Sequence, residues 1–273
     1  MILADTHCHL DLQEFDADRA AVLERAGEQG VTRILIPSLG IDSSRRVVGL
    51  AESDARLYAA IGVHPNEAST WNEGTAGNIA SLALHPRVVA IGEIGLDYYW
   101  DSAPPELQKC ILQEQLVLAA QFNKPVVLHS REKGDLEAGD CTTDLLSILE
   151  EWVAGLEPAH PLAGRPGVLH SYSGSLETAR EAIRLGFYIG VTGPVTYKNA
   201  EARRRIVAAL PLESLLLETD APFLAPHPRR GRRNEPAFIA LIADKIAELH
   251  STSREQVARL TTANATRLFG WEG

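Results

Sequence analysis

Met1-Ile2-Leu3 runs directly into Ala4-Asp5-Thr6-His7-Cys8-His9 at the start of the chain. In an extended chain residues two apart share a face, so His7 and His9 aim both imidazoles one way and Cys8 aims the other. Two neutral imidazoles converging from one strand end are half of a metal site. A lone His-x-His reads rather as two surface or core histidines unless the later chain answers it. The rest of the chain must therefore supply the missing ligands, and it must supply them at strand ends.

Beyond His9 the hydrophobic pattern alternates between helix and strand. Helices are expected over 14–29, 42–53, 77–84, 105–122, 142–153, 176–185 and 200–210, with two more over 236–250 and 253–269. The last has Ser253 as its cap and Gln256 three residues later. Strands are expected over 31–37, 57–63, 88–91, 125–128, 168–169, 187–191 and 215–217. With the first, that makes eight strands alternating with helices, which points to a parallel sheet and, at 273 residues, to a closed (β/α)8 TIM-type barrel. The spacing agrees: His9 to Pro37 is 28 residues, Pro37 to His64 is 27, His64 to Glu93 is 29 and Glu93 to His129 is 36. An open doubly wound sheet would announce a glycine-rich phosphate turn after strand one, and there is none. Nothing forces a split, so residues 1–273 are expected to form a single hydrolase domain.

In a parallel barrel all strand C-termini meet at one mouth. Seven candidate groups fall there: His7 and His9, then His64, Glu93, His129, His170 and Asp220. The other four histidines, His85, His160, His227 and His250, lie on helices or loops and read as solvated. Nitrogen and oxygen donors without thiolate suit Zn, Mn, Ni or Mg. So many donors exceed what one open catalytic ion needs and suit two divalent ions sharing a carboxylate.

The totals exclude other classes. A net charge of −10, from 26 basic and 36 acidic residues, repels a polyanion over most of the surface, so any nucleic-acid contact must be local. Two basic clusters stand out. Arg203-Arg204-Arg205 reads as a solvated helix face, and the run Arg229-Arg230 with Arg232-Arg233 is as readily a loop as a contact patch. No extended groove of interleaved aromatic and basic residues is apparent. The start of the chain lacks a basic leader and a bilayer-length apolar run, so cytoplasmic residence without a membrane partner is expected. Cys8, Cys110 and Cys141 are scattered, and they read as reduced and structural.

The motifs Asp5-Thr6-His7-Cys8-His9-Leu10-Asp11, Gly62-Val63-His64-Pro65, Gly92-Glu93-Ile94-Gly95-Leu96-Asp97-Tyr98-Tyr99, His129-Ser130-Arg131, His170-Ser171-Tyr172-Ser173-Gly174, Glu218-Thr219-Asp220-Ala221-Pro222 and Arg233-Asn234-Glu235-Pro236 cover the chain from end to end. In that order they resemble the TatD-type deoxyribonucleases, within the larger class of amidohydrolase-like metal-dependent barrels. The resemblance implies a metal-dependent exonuclease or phosphodiesterase on DNA, and the first expectation is 3′ to 5′ trimming of DNA ends, single-stranded by preference. It implies one metal on His7, His9 and Asp220 and a second on His129 and His170, with Glu93 between them. It also places His64 and Arg131 on the phosphate; with the metals so held, Asp220 at their edge is expected to accept the nucleophile's proton, and Glu218, two residues away, shares its strand face.

Two departures stand out. Ser171-Tyr172 replaces the family's usual Cys-Phe, a change expected to alter packing rather than metal binding. The stretches 132–141 and 155–167 look long, and long loops after strand five are expected at the mouth, where they shape substrate choice. Two other functions stay open on sequence grounds: hydrolysis of a small amide, ester or lactone on the same metals, which a substrate panel would separate, and a non-catalytic metal scaffold, which any turnover would exclude. The native metal and the oligomeric state are not legible.

Overall fold

Eight short parallel strands pair in chain order, each with its sequence neighbour. They are β1 (Leu3–Asp5), β2 (Val31–Pro37), β3 (Leu57–Ile61), β4 (Val88–Asp97), β5 (Val126–Arg131), β6 (Gly167–Leu169), β7 (Tyr188–Val191) and β8 (Leu215–Leu217). The structure is a computed structural model that describes residues 1–271. The sheet curls until β8 meets β1 at a seam just beyond the strands. There Thr6 N donates to the Leu217 carbonyl (3.0 Å), Asp220 N to His7 (2.8 Å) and His9 N to Ala221 (2.8 Å).

Nine helices pack outside among the described residues: α1 (Arg19–Glu28), α2 (Ile41–Ser53), α3 (Thr75–Ala83), α4 (Pro105–Gln121), α5 (Asp140–Ala154), α6 (Leu176–Arg184), α7 (Glu201–Ala209), α8 (Ile239–Leu249) and α9 (Arg254–Phe269). None is long and apolar enough to cross a membrane. Outward-facing strand residues such as Ile34, Ile36, Ile61 and Ile91 bury against these helices in the larger core. Inside the barrel, Ala4, Leu35, Ala60, Ala90, Val127, Val168, Tyr188 and Leu216 fill the cross-section, small residues making room for large ones. Leu268, Phe269 and Trp271 close its base.

Three expectations change, each for a local reason. The helix expected over 14–29 begins only at Arg19: Phe15 is buried in a separate 3-10 turn, and Asp18 takes a non-helical φ of −145°. Its carboxylate is held by Arg233 at 2.7 Å. β4 runs six residues past its expected end, to Asp97, because Gly95, Leu96 and Asp97 pair with His129, Ser130 and Arg131 on β5. The stretch 155–167 precedes β6, so it lies at the opposite end from the mouth, where Arg165 donates to the Leu268 carbonyl (2.8 Å) near the end of α9. Only 132–141 stands at the mouth, as expected for a loop after β5. There the carboxylate of Glu132 accepts the backbone N–H groups of Cys141 (3.2 Å) and Thr142 (2.7 Å) and caps α5.

Candidate metal centre

Glu93, 3% exposed on β4, is the hub. Its Oε2 lies 3.4 Å from His7 Nε2 and 3.9 Å from His9 Nε2, and its Oε1 lies 2.9 Å from His129 Nδ1 and 3.7 Å from His64 Nε2. One carboxylate thus presents one oxygen to each of two imidazole pairs. Asp220 completes the first side, with Oδ1 3.8 Å from His7, 3.6 Å from His9 and 3.7 Å from His170. The two imidazoles expected on one strand face do converge, Nε2 to Nε2 at 3.3 Å, while Cys8 turns into the core. His170 sits nearer this side than His129 does, its ring stacked on His7 with centroids 3.3 Å apart. Three sets of metal-capable side chains result: His7, His9 and Glu93; His7, His170 and Asp220; and His64, Glu93 and His129.

Neighbouring carboxylates decide which nitrogen each ring offers. Glu218 was expected beside Asp220 among the reacting groups, but it is 0% exposed and lies behind His170, taking a hydrogen bond from Nδ1 at 2.9 Å and from Ser171 N at 2.8 Å. That leaves His170 Nε2 facing the centre, with Glu218 holding the ring from behind. Gly190 makes its room: a Cβ there would lie 2.3 Å from the Glu218 carboxylate. Asp97, quoted in a motif but given no role, holds His129 Nε2 at 3.0 Å and turns Nδ1 towards Glu93. A second glycine brings His129 close, since a Cβ on Gly95 would fall 2.0 Å from the His129 carbonyl oxygen. Asp5, also unassigned, is fully buried and accepts from Thr219 N (2.9 Å) and His7 N (3.3 Å), tying the ends of β1 and β8 together. With β4 running on to Asp97, four residues after Glu93 puts Asp97 on the same face, a signal that the expected strand end at 91 had hidden. Asp5 and the inward turn of Glu218 carried no such signal.

Electrostatics follow from burial. Burial works to raise the Glu93 carboxyl, but His7, His129 and His64 outweigh it and hold it well below the usual range. Burial lowers His129 and His170, yet Asp97 and Glu93 on one, and Glu218 and Asp220 on the other, bring each up to about 9. His64 goes the other way: burial and the neighbouring His129 push it down to about 3. Its Nδ1 accepts the Asn66 N–H at 3.1 Å, so the neutral ring carries its hydrogen on Nε2 and presents a donor to the cleft.

The donor set fits a metal. Among the described residues neither Glu93 nor Asp220 pairs with a lysine or arginine; both face imidazoles alone. Buried lone pairs gathered this closely require protons or cations between them. The centre therefore binds divalent metal through nitrogen and oxygen donors. All three cysteines are unpaired and none belongs to these sets.

The mouth differs from expectation in its basic residues. Arg131 stacks on Tyr99, 3.7 Å from the ring centroid, and lies 5.8 Å from the half-exposed Trp100. Arg203, expected on a solvated helix face, turns inward from α7 and lines a 360 Å3 cleft together with His129, Arg131, His170, Asp220 and Phe223. Arg205 alone behaves as expected, pairing with Glu201 at 3.4 Å in solvent. Of the second cluster, Arg230 covers Tyr197 (4.4 Å) and Arg233 pairs with Asp18. Basic and aromatic groups scattered in sequence are thus gathered around the mouth by the fold. His85, His160, His227 and His250 stay away from the centre, although His160 and His250 are half-buried, within 3.2 Å and 3.0 Å of backbone carbonyls. Ser171 Oγ bonds Thr192 (2.8 Å) and the Tyr172 hydroxyl donates to the Ser175 carbonyl (2.6 Å), so both side chains of the first departure are occupied locally.

A (β/α)8 barrel whose strand ends carry five imidazoles and one aspartate around one buried glutamate defines a metal-dependent hydrolase. The model of the TatD related DNase family matches residues 4–270, and the chain belongs to that family. It is 41% identical over 268 residues to an uncharacterized metal-dependent hydrolase, YabD, of Bacillus subtilis, covering 98% of this chain and 99% of that protein. It is 36% identical to a 3′-5′ ssDNA/RNA exonuclease, TatD, of Musicola paradisiaca, with 97% of each chain covered. The crystal structure of the TatD homologue YjjV from Escherichia coli superposes with a TM-score of 0.88 at 36% identity, covering 98% of both chains.

Proposed function

We propose that residues 1–273 act as one hydrolase domain that removes nucleotides from the 3′ ends of single-stranded DNA or RNA, using two divalent ions from among Mg, Mn, Zn and Ni. The observation that carries this reading is the two-sided Glu93, one oxygen towards His7 and His9 and the other towards His129. His7, His9 and Asp220 would hold one ion and His129 and His170 the other, with Glu93 within reach of both. When bound, such ions lower the pKa of a water and neutralise charge on the attacked phosphate. Asp220, at the edge of the set, accepts the proton that the nucleophile loses. His64 donates from Nε2 to a phosphate oxygen, and Arg131 offers its planar fork to the same group. Glu218 and Asp97 keep His170 and His129 in their ligating orientations. Relatives named as 3′-5′ ssDNA/RNA exonucleases support the choice of substrate.

The test is release of mononucleotides from a labelled single-stranded oligonucleotide with each metal in turn. Glu93→Ala should lower the rate by roughly a thousandfold, the several kcal/mol that metal contributes. Wild-type protein that releases nothing in any metal, while hydrolysing an amide or lactone from the same panel, would overturn the reading.

A further inference from the structure

Three consecutive arginines on α7 meet three fates. Arg205 pairs with Glu201 in solvent, Arg204 binds the carbonyls of Tyr197 and Lys198, and Arg203 turns inward. Among the described residues Arg203 has one hydrogen bond, from Nη1 to the Tyr172 carbonyl (3.1 Å), and no carboxylate within ion-pair distance. Burial lowers its pKa, with Tyr197 and Glu137 only partly opposing. A half-buried guanidinium without a counter-ion is held ready for an anion from outside.

Its position says which anion. Arg203 lines the metal cleft with His129, Arg131, His170 and Asp220, and it also lines a second cavity of 460 Å3 on the far side. Ser173, Pro194 and Arg203 border both, so the two spaces adjoin. The second cavity has mixed walls: Val191, Ile206 and the rings of Tyr172 and Tyr197 on the apolar part, and Thr192, Asn199 and the Glu137 carboxylate on the polar part. Both rings are fixed: the Tyr172 hydroxyl donates to the Ser175 carbonyl and that of Tyr197 to the Ala225 carbonyl (3.1 Å), while Arg230 covers Tyr197. A pocket of this size and lining accepts a planar heterocycle.

We infer that this second cavity is a subsite for the nucleotide adjoining the scissile phosphate, with Arg203 taking that nucleotide's own phosphate and the Tyr172 and Tyr197 walls enclosing its base. The inference rests on the nuclease reading above. It makes the protein select a chain over a lone phosphodiester, because a substrate with one phosphate cannot reach both the metal centre and Arg203.

The test uses Mn-loaded full-length protein and a fluorescein-labelled phosphorothioate hexathymidylate, which resists cleavage, with binding followed by anisotropy across a salt series. Arg203→Gln should weaken binding about tenfold and flatten the log–log salt dependence by about one charge. Arg203→Lys, which keeps the charge and loses the fork, should recover the salt slope and only part of the affinity. In wild type, removing bases one at a time should cost about tenfold at one position and little elsewhere. For cleavable substrates, the ratio of kcat/KM on the hexanucleotide to that on a mononucleotide aryl ester should fall in Arg203→Gln. Unchanged affinity and salt slope in a folded Arg203→Gln would overturn the subsite while leaving the exonuclease reading intact. A flat base-removal profile would overturn the base pocket. Wild type that binds the hexamer but hydrolyses no oligonucleotide in any metal would overturn the exonuclease reading, with the subsite still judged by Arg203→Gln. Wild type that does not bind the hexamer would overturn both. If Arg203→Gln does not fold by thermal melting, Arg203→Lys and the wild-type base profile decide.

Discussion

The two sides of the barrel mouth hold charge in opposite ways. On the side built by β1, β4 and β8, His7, Glu93, Glu218 and Asp5 are at most 3% exposed, and each is fixed by another side chain or by backbone. On the other side, Arg131 ends β5, Arg203 stands on α7, and Trp100 and Phe223 stand on turns after β4 and β8, the two aromatics just over half exposed. The buried side concentrates negative charge and lone pairs that a metal satisfies, so its geometry is over-determined. The open side offers cations and flat rings that a nucleic acid satisfies, and it tolerates approximate fit. Damage on the first should therefore act through metal occupancy, and damage on the second through affinity for the substrate chain.

The largest expected break of that division is at Glu218. Glu218→Gln removes the charge that orients His170 without touching a substrate, and should lower metal affinity and activity by about 10–100-fold. Gly190→Ala should act in the same direction, because its methyl would occupy the space of the Glu218 carboxylate. Metal titration by calorimetry would show the loss in occupancy; a change confined to oligonucleotide KM would erase the distinction between the two sides.

A smaller, pH-dependent signature sharpens the comparison. Without metal, the carboxylate neighbours raise His129 and His170 to about 9, so both rings are protonated at neutral pH. A ligating imidazole must be neutral, so loading metal at pH 7 should release protons, and metal affinity should weaken further as pH falls. Above about pH 9 the release should fade, because the metal-free rings are already neutral there. Calorimetry in buffers of different ionisation enthalpy counts the protons. On the open side, Trp100→Ala should have the least effect, raising KM for single strands about fivefold through lost stacking and leaving metal stoichiometry unchanged. Steady-state kinetics with parallel metal analysis checks both halves.

Much of this was legible in the chain and some was not. Val31–Pro37 and Leu215–Leu217 fall where the pattern placed them, because buried parallel strands are continuous apolar runs. The metal-capable residues were legible because a parallel barrel delivers every strand end to one mouth. The extension of β4 through Asp97 was missed, since the polar and glycine residues after Ile91 look like a loop until β5 pairs with them. Arg203 was misread for a related reason: three adjacent arginines look alike in sequence, and only the packing of α7 against α8 and the Pro194 turn separates them.

The order of strands and helices, the family, and the set of imidazoles and carboxylates available to a metal were decided by the sequence, because they follow from residue type, periodicity and spacing along one dimension. Tertiary structure decided which nitrogen each ring presents, that Glu218 lies behind His170, and that a lone guanidinium joins the metal cleft to a second cavity. Those are relations between side chains up to more than 200 residues apart, such as Thr6 and Glu218, and no local pattern encodes a distance of that kind.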